Sequence, residues 1–258
     1  SFGSLRLVLG AGAPVAPALL HGMARLCPRA QVRTPYGMTE ALPVCDVTIE
    51  EIDAAGAGDG VLVGHPLPGV EVAISAVDDR GQATGPMSGE AGVLGEILVR
   101  GEHIKDHYDR QWSVERQASR DVGWHRTGDV GHLDDQGRLW IGGRLAHVIT
   151  TPAGPLAPVG IEQEVGTLPG IEAVACVGVG PTGTQQVVVV VVRGDASRRR
   201  GPLADVDLLQ EIRSVADVPV AAVLVRRALP VDIRHNSKID RTALAAWATD
   251  ILAGRGSA

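Results

Sequence analysis

The chain has 258 residues, a formal net charge of −6 at pH 7 and ordinary globular proportions of hydrophobic (45%) and charged (21%) residues, so wholesale disorder is excluded. Its acidic balance argues against a general nucleic-acid binder. The three cysteines, Cys27, Cys45 and Cys176, are too few and too far apart for a disulfide framework or a C-x-x-C zinc site, and this usage is typical of a reducing cytoplasm.

The first forty residues predict a strand, a glycine turn, a helix and a second strand. An apolar run at residues 5–9 stops at the turn Gly10-Ala11-Gly12-Ala13-Pro14, and residues 18–26 have the apolar spacing of a helix. Val32 begins the second strand. It leads into residues 34–40, where a proline and a glycine predict a loop rather than continued regular structure.

Short strands separated by turns follow. Alternating runs at residues 70–74 and 95–100 predict antiparallel strands of a small barrel or sandwich. Residues 131–141 predict a further hairpin, with its turn at Asp135 to Gly137. The first part of the chain is therefore expected to combine an α/β element with a small antiparallel β-structure.

The last part of the chain predicts an α+β domain. A stretch of small residues at 150–155 suits a domain boundary. Residues 187–192 are all valine, and β-branched side chains on both faces predict a fully buried strand. This longest apolar run is too short to cross a bilayer, so no transmembrane segment is predicted. The predicted elements are a helix at 158–168, strands at 173–179 and 185–193, a helix at 203–215, a strand at 221–226 and a helix from about Asp240.

Three short segments combine tight turns with polar side chains, and the first is Tyr36-Gly37-Met38-Thr39-Glu40. Here Gly37 allows a close backbone approach, Thr39 offers a hydroxyl to a phosphate oxygen, and Glu40 offers a hard carboxylate to Mg²⁺. The alternative is that Thr39 caps a turn and Glu40 is solvated.

The other two segments place an acid and a lysine beside turns. Asp129 follows Thr127-Gly128, where an acidic residue can accept both hydroxyls of a ribose. Thr-Gly-Asp is also a common turn. Lys238 ends a polar loop before a helix, where it either delivers a cation to a phosphoryl centre or is an ordinary solvated lysine.

The order and separations of these segments resemble the adenylate-forming superfamily of acyl-CoA synthetases, luciferases and non-ribosomal peptide adenylation domains. The resemblance covers nearly the whole chain. Its motifs are Gly12-Ala13-Pro14, Tyr36 to Glu40, Gly64 to Val70, Gly95 to Gly101, Arg126 to Asp129, Gly143-Arg144 and Asn236 to Arg241.

The resemblance implies a site for ATP or AMP with Mg²⁺, and it implies a role for each motif residue. The implied roles are that Gly12, Ala13 and Pro14 pack against adenine, Tyr36 stacks on adenine beside Gly37, Thr39 contacts phosphate, Glu40 holds Mg²⁺, Asp129 binds the ribose, Arg144 contacts the nucleotide from a hinge, and Lys238 bridges the substrate carboxylate and the α-phosphate.

The resemblance also implies a domain organisation. Residues 1–145 correspond to the end of a large adenylation domain, an α/β element with a small distorted β-barrel, and residues 146–258 correspond to a small mobile α+β domain. The family's Gly-rich phosphate-binding loop does not occur in this sequence. An N-terminal half of the same enzyme is therefore the expected partner, and the chain alone is expected to be inactive. The alternative from another class is a non-catalytic docking or adenylate-binding remnant.

Three residues near the implied hinge differ from those expected in members that transfer the acyl group to a thiol after adenylation. Members that form thioesters usually have an Asp or Lys, then an acid, and later a Lys, where this chain has Ala146, His147 and Thr150. Within the superfamily the chain looks most like the olefin-pathway β-lactone synthetases. That likeness implies a long-chain 3-hydroxy fatty acid as substrate, whose own hydroxyl expels AMP without coenzyme A. His147 is then either the base for that hydroxyl or a hydrogen-bonded loop residue. The alternative is a fatty acyl-CoA synthetase, which leaves the use of coenzyme A open.

Overall fold

The computed structural model describes residues 2–56, 60–105, 107, 109–194, 201–231 and 239–255. Lys238 and most of the loop predicted before it lie outside the described residues. In chain order the elements are β1 (Leu7–Leu9), α1 (Pro17–Leu26), β2 (Gln31–Met38), β3 (Ala41–Thr48), α2 (Ile49–Ala55), β4 (Val61–Pro66), β5 (Glu71–Val77), β6 (Ala83–Ser88), β7 (Gly95–Arg100), α3 (Trp112–Ala118), β8 (His125–Leu133), β9 (Leu139–Arg144), a short 3-10 turn (Leu145–His147), β10 (Ile149–Thr151), β11 (Gly154–Leu156), α4 (Pro158–Gly166), β12 (Ile171–Val179), β13 (Gln186–Arg193), α5 (Val206–Val215), β14 (Val220–Arg226) and α6 (Arg241–Leu252).

The chain divides into two compact units. The first comprises Ser1–Ala76 with Thr84–Ile141, and the second comprises Gly142–Ala258 with Val77–Ala83. Their sheets and helices confirm the predicted mixed α/β and α+β class. The boundary after residue 145 and the mobility of the tail domain stay predictions.

A nine-stranded sheet, with the order β1-β2-β3-β4-β9-β8-β7-β5-β6, is the framework of the first unit. β1 pairs with β2 in parallel, whereas β3, β4, β5, β7, β8 and β9 pair with their neighbours in antiparallel ladders. The β5–β7 ladder confirms the antiparallel strands predicted at residues 70–74 and 95–100. The largest core cluster of this sheet includes Val44, Ile74, Ile97 and Leu139, each 0% exposed.

Strand β2 corrects the loop predicted at residues 34–40. The strand continues to Met38, and Thr39 and Glu40 form the turn into β3, an unpredicted strand. A proline disrupts a strand only where a neighbouring strand needs the backbone N–H that proline lacks. The pairing with β1 stops at Arg33, so β2 has an open edge at Pro35, where a proline is tolerated.

Gly37 closes the β2–β3 hairpin. The ladder shifts register between Tyr36 and Met38. A Cβ on Gly37 would lie 2.5 Å from the carbonyl oxygen of Ala41 and 2.7 Å from Leu42 Cδ1. The hairpin itself therefore fills the space beside this glycine and requires its lack of a side chain.

The small-residue stretch at 150–155 forms a hairpin inside the second unit rather than a boundary. Thr151 lies opposite Gly154 in the β10–β11 pair, and Thr151 Oγ1 donates to the carbonyl oxygen of Gly154 at 2.9 Å. Gly154 has a φ of +119°, so the small residues serve a tight turn. The two units divide between Ile141 and Gly142.

A three-stranded sheet of order β12-β13-β14 forms the centre of the second unit. The valines at residues 187–192 are at most 8% exposed, which confirms the predicted buried strand. The two faces of β13 pack against different clusters. On one face, Val187, Val189 and Val191 cluster with Ile161, Val165, Leu208 and Ile212. On the other face, Val188 and Val190 cluster with Leu244 and Ala248.

Among the residues described, none of the helices has both the length and the apolar character needed to cross a membrane.

Gly37→Ala is expected to lower the free energy of unfolding by about 1–3 kcal/mol, because the new Cβ overlaps backbone atoms of its own hairpin. Gly22→Ala is the matched control. Gly22 lies inside α1, where a Cβ would meet only Arg25 Nη2 at 4.0 Å, so the same change there should raise the free energy of unfolding by up to about 1 kcal/mol. Urea unfolding measures both variants. Equal effects at the two positions would contradict the packing at Gly37.

Candidate functional site

A side-chain hydrogen bond joins two of the predicted motifs. The Tyr36 hydroxyl donates to Asp129 Oδ2 at 2.8 Å. Tyr36 lies on β2 and Asp129 on β8, and β3, β4 and β9 lie between these strands in the sheet order. A flat sheet would hold the two backbones about 19 Å apart, at four strand spacings of about 4.8 Å. The sheet must therefore curl to bring the two side chains together.

The surroundings of Tyr36 disfavour the loss of its hydroxyl proton. Burial first, and the Asp129 carboxylate second, raise the pKa of Tyr36 well above its usual range. The hydroxyl therefore retains its proton and remains a donor. Because a carboxylate offers about four lone-pair positions, Asp129 can accept from Tyr36 and also from hydroxyl groups of a ligand.

The loop Gly12-Ala13-Pro14 leaves the sheet at the same end as Tyr36. β1 and β2 are parallel, with Leu9 opposite Arg33, so the chain after Leu9 and the chain after Arg33 run toward the same end of the sheet. The loop is exposed, and Gly12 has a φ of +98°. Ligands commonly bind near the carboxyl ends of parallel strands, and this loop and Tyr36, which lies in the last part of β2, are both toward that end.

Thr39 and Glu40 form the turn that follows Tyr36 along the chain. Thr39 is exposed and Glu40 is half-buried. The carbonyl oxygen of Glu40 accepts a hydrogen bond from Lys105 N at 2.9 Å. This contact ties the β2–β3 turn to the loop after β7 and fixes the backbone from which the Glu40 carboxylate projects.

Lys105 and His125 lie near Glu40, and the motifs give neither residue a role. Lys105 Nζ forms an ion pair with Glu115 Oε2 at 3.1 Å. Burial first, and Lys105 second, lower the pKa of His125, whereas Glu40 and Glu115 act in the opposite direction. His125 is therefore neutral at pH 7. The sequence signal for His125 is its place just before the Asp129 motif, and Lys105 has none. Both line a cavity of about 200 Å³ with Arg100, Gly101, Ile104, Ser119, Gly123 and Trp124.

The predicted magnesium site rests on one carboxylate, that of Glu40. Within the part of the chain that the structure describes, no group of three or more His, Cys, Asp or Glu side chains is arranged to hold a metal ion. Mg²⁺ in nucleotide sites is usually bound through one or two carboxylates together with phosphates and waters. A half-buried acid on a fixed turn fits that kind of site.

Arg144 and Lys238 belong to the second unit. Arg144 ends β9 and is exposed, and the turn Leu145–His147 follows it directly. Lys238 is outside the described residues. The nearest described positions on either side of its segment, Val231 and Ile239, form an antiparallel bridge, so the two ends of that segment are held together.

Helix α6, which begins shortly after Lys238, is anchored by an ion pair. Arg241 Nη2 contacts Glu162 Oε2 at 2.6 Å. Burial raises the pKa of Glu162 to about 7 against the opposing effect of Arg241. Asp240 caps the helix by accepting from Ala243 N at 2.9 Å. The chain that follows the Lys238 segment therefore leads directly into a helix whose position is fixed.

Thr150 and His147, two residues of the predicted hinge, have specific surroundings. Thr150 is 3% exposed, and its hydroxyl donates to Gln185 Oε1 at 3.1 Å and accepts from Gly183 N at 2.8 Å. A lysine there would have to bury its charge. Burial and two nearby arginines lower the pKa of His147, so its imidazole is neutral at pH 7 and retains a basic nitrogen.

Comparison with known proteins agrees with these motifs. A family model described as AMP-binding enzyme matches residues 1–108. The olefin beta-lactone synthetase of Stenotrophomonas maltophilia (strain K279a) is 38% identical over 96% of this chain and 48% of its own length. The olefin beta-lactone synthetase of Xanthomonas campestris pv. campestris is 36% identical over 95% of this chain and 47% of its own length.

A solved structure extends the likeness to three dimensions. The amide bond synthetase McbA from Marinactinospora thermotolerans superposes with a TM-score of 0.72 and 27% identity, over 95% of this chain and 47% of that one. The chain spans about half the length of the curated relatives it matches. From its motifs, its fold and these relatives, the chain belongs to the AMP-binding enzyme family of the adenylate-forming superfamily.

Proposed function

We propose that Tyr36 and Asp129 bind the nucleoside part of ATP in an enzyme that adenylates a carboxylic acid. The observation that carries this proposal is the 2.8 Å hydrogen bond between the two side chains. It brings an aromatic ring and a carboxylate from separate motifs to one place, and a nucleoside offers an aromatic base and a vicinal diol to such a pair. The family membership and the loop Gly12-Ala13-Pro14 at the same end of the sheet support the proposal.

In the proposed reaction, an oxygen of the substrate carboxylate attacks the α-phosphorus of ATP, the bond to pyrophosphate breaks, and an acyl adenylate results. Both reactants are anions, so cationic groups must offset the charge that grows on the phosphate oxygens. Lys238 is proposed to offset that charge and to align the carboxylate. Asp129 holds the ribose, Arg144 adds a contact to the nucleotide, and together they fix the line of attack.

Glu40 is the proposed Mg²⁺ ligand, and Thr39 the proposed contact to a phosphate oxygen. When bound, Mg²⁺ supplies neutralisation of phosphate charge. Glu40 suits this role because its backbone is held by Lys105, so the carboxylate projects from a fixed turn.

We further propose that the first unit works together with additional polypeptide. β1 is a parallel strand at the sheet edge, yet Leu7 and Leu9 are 49% and 55% exposed. Parallel strands are normally covered on both faces. Phe2, Leu19 and Leu26, on and beside α1, add exposed apolar surface. The part of the relatives' length that this chain does not span is the proposed cover, and the chain alone is proposed to be unable to adenylate.

The acid proposed as substrate is a long-chain 3-hydroxy fatty acid. After adenylation, its own hydroxyl attacks the acyl carbonyl, AMP leaves and a β-lactone closes. A tethered nucleophile needs no second substrate, because the entropy of bringing it in is already spent. His147 is the proposed acceptor of the hydroxyl proton. The similarity to two olefin beta-lactone synthetases supports this step, and the buried Thr150 argues against the alternative, a coenzyme A thioester.

Asp129→Asn tests the ribose contact. The variant keeps the side-chain shape but replaces an acceptor oxygen with a donor, so the Kd for AMP should rise about tenfold or more, as expected for losing a hydrogen bond to a charged group. Calorimetry of AMP binding to the 258-residue chain measures the Kd. Asp135→Asn, in the exposed turn after β8, is the matched control and should leave the Kd unchanged. An unaltered Kd in Asp129→Asn would contradict the assignment.

Product analysis distinguishes closure of a β-lactone from formation of a coenzyme A thioester as the step that follows adenylation. An enzyme that joins this chain to the remaining length of its relatives, given ATP and a 3-hydroxy fatty acid, should yield a β-lactone and AMP without coenzyme A. The chain alone should yield neither, and Lys238→Ala should lower the rate of the joined enzyme by about 10²-fold. A reaction that stops at the acyl adenylate until a thiol is added would refute the lactone proposal.

A further inference from the structure

A bulge in β8 presents Asp129. In the pairing of β7 with β8, three residues of β8, Thr127 to Asp129, lie opposite Ile97 alone. Gly128 sits in the middle with a φ of +70°, a conformation that glycine adopts without strain. Bulges next to active sites commonly redirect a side chain, so what holds this bulge determines where Asp129 points.

Two side chains satisfy the backbone groups that the bulge removes from the ladder. Thr127 Oγ1 donates to the carbonyl oxygen of Ile97 at 2.9 Å and accepts from Asp129 N at 3.0 Å. Glu96 Oε1 accepts from Gly128 N at 3.2 Å. Thr127 and Glu96 are 8% and 6% exposed. Buried backbone groups are costly to leave unpaired, so these hydrogen bonds favour one conformation of the bulge.

The Glu96 carboxylate is itself held in one orientation. Its Oε2 accepts from Arg126 Nη1, and Arg126 Nε donates to Asp121 Oδ2 at 2.6 Å. A buried ion pair adds little net stability, but removing one partner leaves an uncompensated charge. The ion pair therefore fixes the orientation of the Glu96 carboxylate, and its other oxygen, Oε1, is directed at the backbone N–H of Gly128.

We propose that Thr127 and Glu96 are positioning residues that aim the Asp129 carboxylate. The bulge they hold directs Asp129 at the Tyr36 hydroxyl, 2.8 Å away. The role of this orientation in ribose binding rests on the proposed function. The dependence of the orientation on Thr127 and Glu96 rests on the hydrogen bonds of the bulge instead. In this part of the chain the family resemblance assigns a role to Asp129 alone.

Tyr36 reports directly on where Asp129 points. The chain has two tyrosines, so with ¹³Cζ-labelled tyrosine and Tyr108→Phe as background, NMR at pH 7 shows the Tyr36 signal alone. Asp129→Asn defines the shift caused by losing the carboxylate. Thr127→Val removes the hydroxyl's hydrogen bonds to Ile97 and from Asp129. It also removes a side-chain hydrogen bond between Thr127 and Tyr36, so Glu96→Gln is measured beside it, because Glu96 is not among the groups that shift the Tyr36 pKa. Thr127→Val should move the Tyr36 signal in the same direction and raise the Kd for AMP about tenfold.

Conservative and matched variants separate positioning from stability. Thr127→Ser keeps the hydroxyl and should restore both the Tyr36 signal and the AMP affinity. Thr150→Val is the matched control, because Thr150 is also a buried threonine that donates one hydrogen bond and accepts one. It should leave the Tyr36 signal in place. Glu96→Gln is judged by the same criteria, and a shift of the Tyr36 signal there reflects the bulge rather than a direct contact with Tyr36.

An unchanged Tyr36 signal in folded Thr127→Val, or in folded Glu96→Gln, overturns the positioning role. The same holds if Asp129→Asn leaves the signal unchanged, since Tyr36 and Asp129 are then not in contact. Failure of the unmutated chain to bind AMP counts against the proposed function alone, because the Tyr36 signal is measured without nucleotide.

Discussion

The hydrogen bond between Tyr36 and Asp129 constrains the shape of the sheet in the first unit. It joins β2 to β8 across three intervening strands, so it exists only if the sheet curls. The high pKa of Tyr36 keeps the hydroxyl a donor. Behind the contact, a hairpin without room for a side chain at Gly37 and a bulge satisfied by buried side chains hold both partners. Such support before a ligand arrives is what preorganised binding requires.

Much of the fold could be predicted because its signals are local. Six consecutive valines predicted a strand covered on both faces, and Asp240 ahead of an apolar-periodic segment predicted the start of the last helix. The β2–β3 hairpin could not be predicted in this way. Whether Pro35 and Gly37 end a strand depends on which neighbour pairs there and what packs beside it, and both are long-range properties.

Which residues belong to the candidate site stays a prediction of the sequence motifs, and the residues that support them could not be predicted. Motif resemblance placed Tyr36 and Asp129 in one site, whereas their contact depends on sheet curvature. The contribution of Glu96 depends on the register between β7 and β8, because a shift of one residue would turn its carboxylate to the other face. No local pattern encodes that register. Lys105 was missed for the same reason, since its link to Glu40 is a backbone contact between two distant loops.

The most direct measurement compares AMP with 2′,3′-dideoxy-AMP as ligands of the unmutated chain, by calorimetry at pH 7. If Asp129 accepts hydrogen bonds from the ribose hydroxyls, the dideoxy nucleotide should bind about tenfold more weakly or worse. In Asp129→Asn the two nucleotides should bind with similar Kd, because the two changes remove the same interaction and are not additive. Equal affinity of the unmutated chain for both nucleotides would contradict the account.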